Sequence, residues 1–245
     1  SFCENTIGSL AGSVAFLNNG IVPLLLDAVQ NRQLLDNLLD TYQPEYIYLP
    51  SRMYQDFPEF NLCLMEYDYA ILQTNYTEQI PLHKDLAMLF TTSGSTGSPK
   101  LVRLSIENLR ENGKSINEYL GIGPDERPIT TLPMHYSYGF SIINSHLLAG
   151  ATLLLTTKTL VEKDFWTFFR TEKATSFGGV PYTFEMLKKL RFSRMEFPTL
   201  KTITQAGGKL SDDLLREFAE YAVNRDIRFF VMYGQTEASP RMSYL

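Results

Sequence analysis

Short apolar runs of strand character alternate with stretches of helical period along nearly the whole chain, and this restricts the fold more than any other feature of the sequence. Ile7, Leu10, Val14 and Leu17 repeat at helical spacing, and Asn19-Gly20 supplies a stop. "IVPLLL" (21–26) reads as a buried strand, Leu34, Leu35, Leu38 and Leu39 mark a helix, and "EYIYL" (45–49) is another strand. The Pro- and Tyr-rich stretch that follows has no readable period. Strands are then expected at "LAMLFT" (86–91), "KLVRL" (100–104), "ITTL" (129–132), "ATLLLT" (151–156), "TSF" (175–177), "KTITQA" (201–206) and "RFFVM" (228–232). Between them lie a helix capped by Ser105 with Leu109, Ile116, Tyr119 and Leu120, a helix over 139–149, one holding Phe165, Phe168 and Phe169, one over 182–190, and one opened by Ser211-Asp212-Asp213. The pattern predicts an α/β fold of mostly parallel sheets flanked by helices, without a clear internal boundary.

Composition excludes several classes. Hydrophobic residues make up 44% and charged residues 20% of the 245, which is ordinary for a globular chain and unlike a disordered one. The net charge is −5, and no Lys/Arg cluster offers a basic face, so nucleic acid is not an expected partner. Cys3 and Cys63 stand in no ligand spacing, which suits a reducing cytoplasm without a disulfide framework or zinc site. No apolar run is long enough to span a bilayer, and no signal-peptide pattern opens the chain.

The informative residues fall after the strands, where ligands sit in open parallel sheets. "TTSGSTGSPK" (91–100) follows the strand at 86–91. Gly94 and Gly97 let the backbone approach a ligand, the hydroxyls of Thr92, Ser93, Ser95 and Thr96 can surround phosphate oxygens, and Lys100 adds a point charge. It is not a Walker loop, because no Gly-Lys-Ser/Thr closes it, and the plainer reading is a Ser/Gly linker. Pro133-Met134-His135-Tyr136, Gly178-Gly179-Val180-Pro181, Gly207-Gly208-Lys209 and Tyr233-Gly234-Gln235-Thr236-Glu237 follow other strands. In the last of these Thr236 could bond a phosphate, Glu237 could help hold Mg²⁺, and Tyr233 could lie against a flat base; a strand-to-helix turn with a capping Thr is the alternative. His135 could orient a substrate, although a lone His is more often structural; His83 reads as a surface loop residue and His146 as part of a helix face.

"FTTSGSTGSPKLV" followed by "YGQTEA" closely resembles the adenylate-forming (AMP-binding) superfamily of acyl-CoA synthetases, peptide-synthetase adenylation domains and luciferases. "LPMHYSYGFSIINSHLLAGATLLL", "GGVPYTFEML", "QAGGKLSDDLLREF" and "NNGIVPLLLDA" match further family stretches in the right order. The resemblance implies an acyl-CoA-synthetase-like large domain that uses ATP and Mg²⁺ to convert a small carboxylic acid to an acyl-adenylate. The acyl group then passes to the thiol of CoA or of phosphopantetheine on an acyl carrier protein. It implies that Thr92, Ser93, Gly94, Ser95, Thr96, Gly97 and Lys100 hold phosphates, that Thr236 contacts the α-phosphate, and that Glu237 binds the metal. Gly207, Gly208, Lys209, Tyr233 and Gly234 would frame the adenine, and His135, Tyr138 and Gly179 would border the acyl pocket.

Departures accompany the match. Leu101 and Ile106 stand where the family usually has glycine and histidine. The family's ribose-binding Asp, its hinge and the catalytic Lys of its small C-terminal domain are expected beyond Leu245; Lys100 is not that lysine. Residues 1–245 are therefore expected to be part of the large domain, with an early α/β part over about 1–85 and the phosphate loop, acyl pocket and adenine-side motifs over about 86–245. Such a piece is expected to be inactive alone. The rival readings are a non-catalytic nucleotide- or acyl-binding module and a structural domain with the Ser/Gly stretch as a linker.

Overall fold

The computed structural model describes all residues except 30–31, 78–79 and 92–99. The chain folds as two compact units, Ser1–Ile106 and Glu107–Leu245. The division falls there because the strands before it complete a sheet begun near the N-terminus.

In the first unit, β1 (Phe2–Cys3), β2 (Leu24–Asp27), β6 (Leu86–Thr91) and β7 (Leu101–Ser105) form one sheet in the order β1-β2-β6-β7. The β1–β2 and β2–β6 pairs are parallel, and β7 returns antiparallel to β6. A second sheet, β3-β5-β4, joins β3 (Tyr46–Pro50), β4 (Asn61–Glu66) and β5 (Tyr69–Gln73), all antiparallel. The β4–β5 hairpin lies in the Pro- and Tyr-rich stretch that sequence left unread. Its turn places Tyr67 and Asp68 at positive φ, without the Asn-Gly or Asp-Gly signal that usually marks such turns. Helices α1 (Ile7–Asn18) and α2 (Arg32–Tyr42) accompany these sheets. Thr6 caps α1 by accepting from Ser9 N. The buried side of α1 is not its apolar repeat: Gly8, Ser9, Gly12 and Ser13 face inward, whereas Ile7 is 66% exposed. The rings of Tyr48 and Tyr69 occupy the space where larger side chains would sit.

The second unit carries the sheet β11-β10-β9-β8, built from β8 (Ser176–Gly179), β9 (Thr202–Gln205), β10 (Arg228–Tyr233) and β11 (Ser243–Tyr244). β8, β9 and β10 run parallel, with Gly179 and Val231 both in register with Gln205, so their carboxyl ends finish together. β11 folds back antiparallel onto β10. The expected strands at 129–132 and 151–156 reduce to isolated parallel bridges, Ile129 to Leu154 and Pro128 to Ser176. Backbone bonds there stop after Thr130, because Thr130 Oγ1 takes the amide of Thr156 that a longer ladder would use.

The helices of this unit are α3 (Ile106–Leu120), α4 (Ser137–Leu148), α5 (Lys163–Thr171), α6 (Pro181–Lys189) and α7 (Asp212–Val223). Ser211 caps α7 by accepting from Leu214 N at 3.4 Å. The core is strongly aromatic. Phe165, Trp166 and Phe169 of α5 pack with Phe177, Phe184, Phe192, Phe197 and Phe218. Ring centroids are 4.6 Å apart for Phe169–Phe197 and 4.8 Å for Phe184–Phe218, within the range of favourable aromatic pairs. This core fixes β8, β9, α6 and α7, and so the turns between them. Among the described residues no helix is long and apolar enough to cross a membrane.

Candidate functional site

Three parallel strands that end together present three turns along one edge, and the helix α4 supplies a fourth segment. β8 ends on buried Gly179, and Val180-Pro181 at the start of α6 follows. After β9 come Gly207, Gly208 and Lys209, all exposed. After β10 come Gly234 and a 3₁₀ turn over Thr236–Ala238. The loop from Leu132 leads through half-buried His135 and Tyr136 into α4.

These segments are tied together by specific contacts. Ser137 Oγ, at the start of α4, lies 2.8 Å from Thr236 Oγ1, joining the helix to the turn after β10. Tyr138 is 2% exposed, and its hydroxyl lies 2.8 Å from Thr204 Oγ1 on β9. Burial pushes the Tyr138 phenol up to about 12, so it serves as a neutral hydrogen-bonding group. Thr131 Oγ1 donates to Gly178 O, fixing the loop against β8. The turn after β9 needs Gly207 for two reasons. Its φ is +80°, and a Cβ there would sit 2.6 Å from the Tyr136 hydroxyl and 3.0 Å from Val180 Cγ1. Buried Gln205 closes this turn, donating from Nε2 to Gly208 O at 2.8 Å and to Ala206 O at 3.2 Å.

The structure thus brings together the stretches at 133–136, 178–181, 207–209 and 233–237. Tyr233 ends β10 and is 63% exposed, available to a flat partner. Glu237 is exposed, and Thr236 and Gly234 are half-buried. Lys100 is exposed just before β7. Thr92, Ser93, Gly94, Ser95, Thr96 and Gly97 lie outside the described residues.

Sequence reasoning missed three participants. Ser137 was passed over beside His135 and Tyr136, although a hydroxyl run at a helix start is a readable signal. Gln205 is a polar residue inside a strand with 0% exposure, and Arg241 is a cation with 8% exposure; neither burial has a local signature.

Deeper in the same unit, His146 lies on a face of α4, as expected, and that face is buried, leaving it 4% exposed. Its Nδ1 lies 2.8 Å from Ile142 O, and a carbonyl can only accept, so Nδ1 carries the proton. Burial first, and Arg241 nearby, hold the imidazole down at about 4 against an ordinary 6.5. Between those values the unfolded chain binds the extra proton. Stability is therefore full above the unfolded value and falls as pH drops toward 4, by about 3 kcal/mol. Urea unfolding at neutral pH and near pH 4.5 checks this, and the gap is expected to shrink by that amount in His146→Gln.

Among the described residues no group of three or more His, Cys, Asp or Glu could hold a metal by itself. Glu237 presents an exposed carboxylate next in sequence to the Thr236 hydroxyl, and oxygen is the ligand type that Mg²⁺ takes.

Comparison with known proteins places the fold and the family. A rat (Rattus norvegicus) protein named medium-chain acyl-CoA ligase ACSF2, mitochondrial, is 29% identical over 157 residues, covering 61% of this chain and 25% of the rat protein. The solved long-chain-fatty-acid-CoA ligase FadD1 of Archaeoglobus fulgidus superposes with a TM-score of 0.79 at 18% identity, over 98% of this chain and 52% of that one. The Vibrio cholerae adenylation domain AlmE, solved with glycyl-adenosine-5'-phosphate, gives 0.77 at 17% identity, over 97% and 50% of the two chains. The chain therefore spans a quarter of the rat relative and about half of each solved chain, and the structural likeness establishes the fold. The family described as AMP-binding enzyme matches residues 12–245, and the chain belongs to it.

Proposed function

We propose that this chain supplies the nucleotide- and acyl-binding part of an ATP-dependent ligase that activates a carboxylic acid as an acyl-adenylate. The observation that carries the reading is the convergence of Gly179, Gly207-Gly208-Lys209 and Thr236-Glu237 on the carboxyl edge of one parallel sheet, in a chain of this family. In the first half-reaction a carboxylate oxygen attacks the α-phosphorus of ATP. The new bond is P–O to the acid, the bond that breaks is P–O to pyrophosphate, and the products are acyl-adenylate and pyrophosphate. In the second, a thiol attacks the acyl carbon, a C–S bond forms, and AMP leaves. The acceptor is CoA or carrier-protein phosphopantetheine.

The residues divide by chemistry. Thr236 offers a hydroxyl to the α-phosphate, held in place by Ser137. Glu237 would hold Mg²⁺, which when bound neutralises phosphate charge. The open turn Gly207–Lys209 and the exposed Tyr233 ring frame the adenine. Thr92 to Gly97 and Lys100 hold the β- and γ-phosphates. His135, Tyr138 and Gly179 border the acid. A cytoplasmic setting fits two cysteines that are both free.

The test is acid-dependent exchange of labelled pyrophosphate into ATP by the intact protein, across fatty, aromatic, amino and dicarboxylic acids. The expected result is Mg²⁺-dependent exchange with at least one class. ATP binding without exchange for any acid would instead identify a non-catalytic nucleotide-binding module.

A further inference from the structure

The turn after β10 buries a guanidinium that no carboxylate among the described residues answers. Arg241 is 8% exposed, yet its Nε, Nη1 and Nη2 make no hydrogen bond of ordinary geometry with the described residues; the neutral Tyr119 hydroxyl lies close by. Its place is built by the backbone. Gly234 lets Pro240 and Arg241 fold back against the end of β10, and Asn112 Nδ2 fastens the fold by donating to Pro240 O at 2.8 Å. The guanidinium lies over the Tyr138 ring, 5.2 Å from its centroid. A cation–π contact offsets part of the desolvation but satisfies none of five N–H donors.

Arg241 lines a small cleft of about 20 Å³, partly open to solvent, together with Ile142, His146, Ser176, Gly178 and Thr204. The other charges of this cleft do not balance it. Arg228 donates to Leu120 O at 2.6 Å and Thr202 Oγ1 at 2.8 Å, which are neutral acceptors. Glu126 is the carboxylate among the lining residues; it accepts from Thr175 Oγ1 and already lies 3.6 Å from Lys201 Nζ. His146, with its low basicity, is neutral at physiological pH. Ser176 Oγ is buried on the same cleft without a hydrogen-bond partner. A buried unpaired cation is costly, and the partner that relieves it is an anion with oxygens for the guanidinium fork.

We propose that Arg241 receives a second anionic group on the acid that is activated, so the preferred substrates are dicarboxylates or acids with another anionic terminus. This rests on the adenylate-forming reading, because it assigns the cleft to the acid's far end. Tyr138 joins the cleft to the sheet edge: its hydroxyl bonds Thr204 on β9, and its ring carries Arg241. Ser176 is positioned to add a hydroxyl donor, and Arg228 to add charge.

The experiment compares straight-chain diacids of four to eight carbons with their monoamides, isosteres that differ in charge at one end. Pyrophosphate exchange by the intact protein is expected to favour one diacid over its monoamide by about 10²-fold or more in kcat/KM. Arg241→Met is expected to lower that diacid by about 10²-fold and to leave the monoamide within about threefold, with Arg241→Lys between the two. An unchanged diacid-to-monoamide ratio in Arg241→Met, or a preference for monoamides, would overturn the proposal while leaving acid activation intact. Calorimetric titration of glutarate and adipate, without turnover, separates the two claims. Diacid binding that Arg241→Met abolishes supports the anion site even if no acid drives exchange. Equal binding of diacid and monoamide, or binding of neither, refutes it.

Discussion

Gly234→Ala is expected to destabilise the protein by about 3 kcal/mol or more, lowering the melting temperature by roughly 6–12 °C. A Cβ at this position would fall inside contact distance of the Arg241 backbone nitrogen and 3.0 Å from its Cα, with the Pro240 carbonyl carbon at 3.2 Å. The obstacles are backbone atoms, so no rotamer change can relieve them. Gly20→Ala is the matching control: its φ is +68°, but nothing lies within 4 Å of the added carbon. It should cost only about 1 kcal/mol, the ordinary penalty for a side chain in the left-handed region. The Gly234 variant that survives at low temperature should also have lost the diacid preference, because the turn that buries Arg241 has opened. Calorimetric melting of both variants checks the ranking. Equal melting temperatures would mean that the β10 turn tolerates an outward shift and does not fix Arg241.

Thr236→Val is expected to lower acid-dependent pyrophosphate exchange by about 10²–10³-fold while changing the melting temperature little. Valine keeps the branched shape and removes the hydroxyl. The loss should fall in kcat more than in KM for the acid, since charge on the α-phosphate is redistributed most at the transition state. Ser137→Ala should cost less, about 10-fold. Ser137 acts through its 2.8 Å contact with Thr236, so its loss lets the hydroxyl turn without removing it. Glu237→Gln should raise the Mg²⁺ concentration needed for exchange. If Thr236→Val exchanged as fast as the parent protein, the turn after β10 would have to be read as a helix-start motif alone.

The parts of the fold legible in the sequence are those written in local chemistry. The strand runs at 86–91, 201–206 and 228–232 appear as β6, β9 and β10, and Ser211 caps α7 as its spacing predicts. The order of turns along the sheet edge was also readable, because glycines and hydroxyls fall directly after strands. What was hidden depends on contacts distant in sequence. The β4–β5 hairpin carries a Tyr-Asp turn at positive φ, and register with β3 rather than turn chemistry holds it. The runs at 129–132 and 151–156 have strand composition, yet the Thr130 side chain replaces ladder bonds and leaves only bridges. Helix α1 was recognised from Ile7, Leu10, Val14 and Leu17, but two tyrosines from β3 and β5 select its small-residue face for burial. Arg241 is the extreme case: nothing within five residues announces that a cation will be buried, since its burial follows from Gly234, Asn112 and Tyr138 together.

The central claim is that the acid's own oxygen attacks the α-phosphorus of ATP, and an isotope label reads this directly. The intact protein is given its best acid with ¹⁸O in both carboxylate oxygens, together with ATP, Mg²⁺ and hydroxylamine as acceptor, and the nucleotide product is analysed by mass spectrometry. The account predicts AMP carrying one ¹⁸O, because the bridging oxygen of the acyl-adenylate came from the acid and leaves with phosphate. Label in inorganic phosphate with ADP as the nucleotide product, or AMP without label, would contradict it.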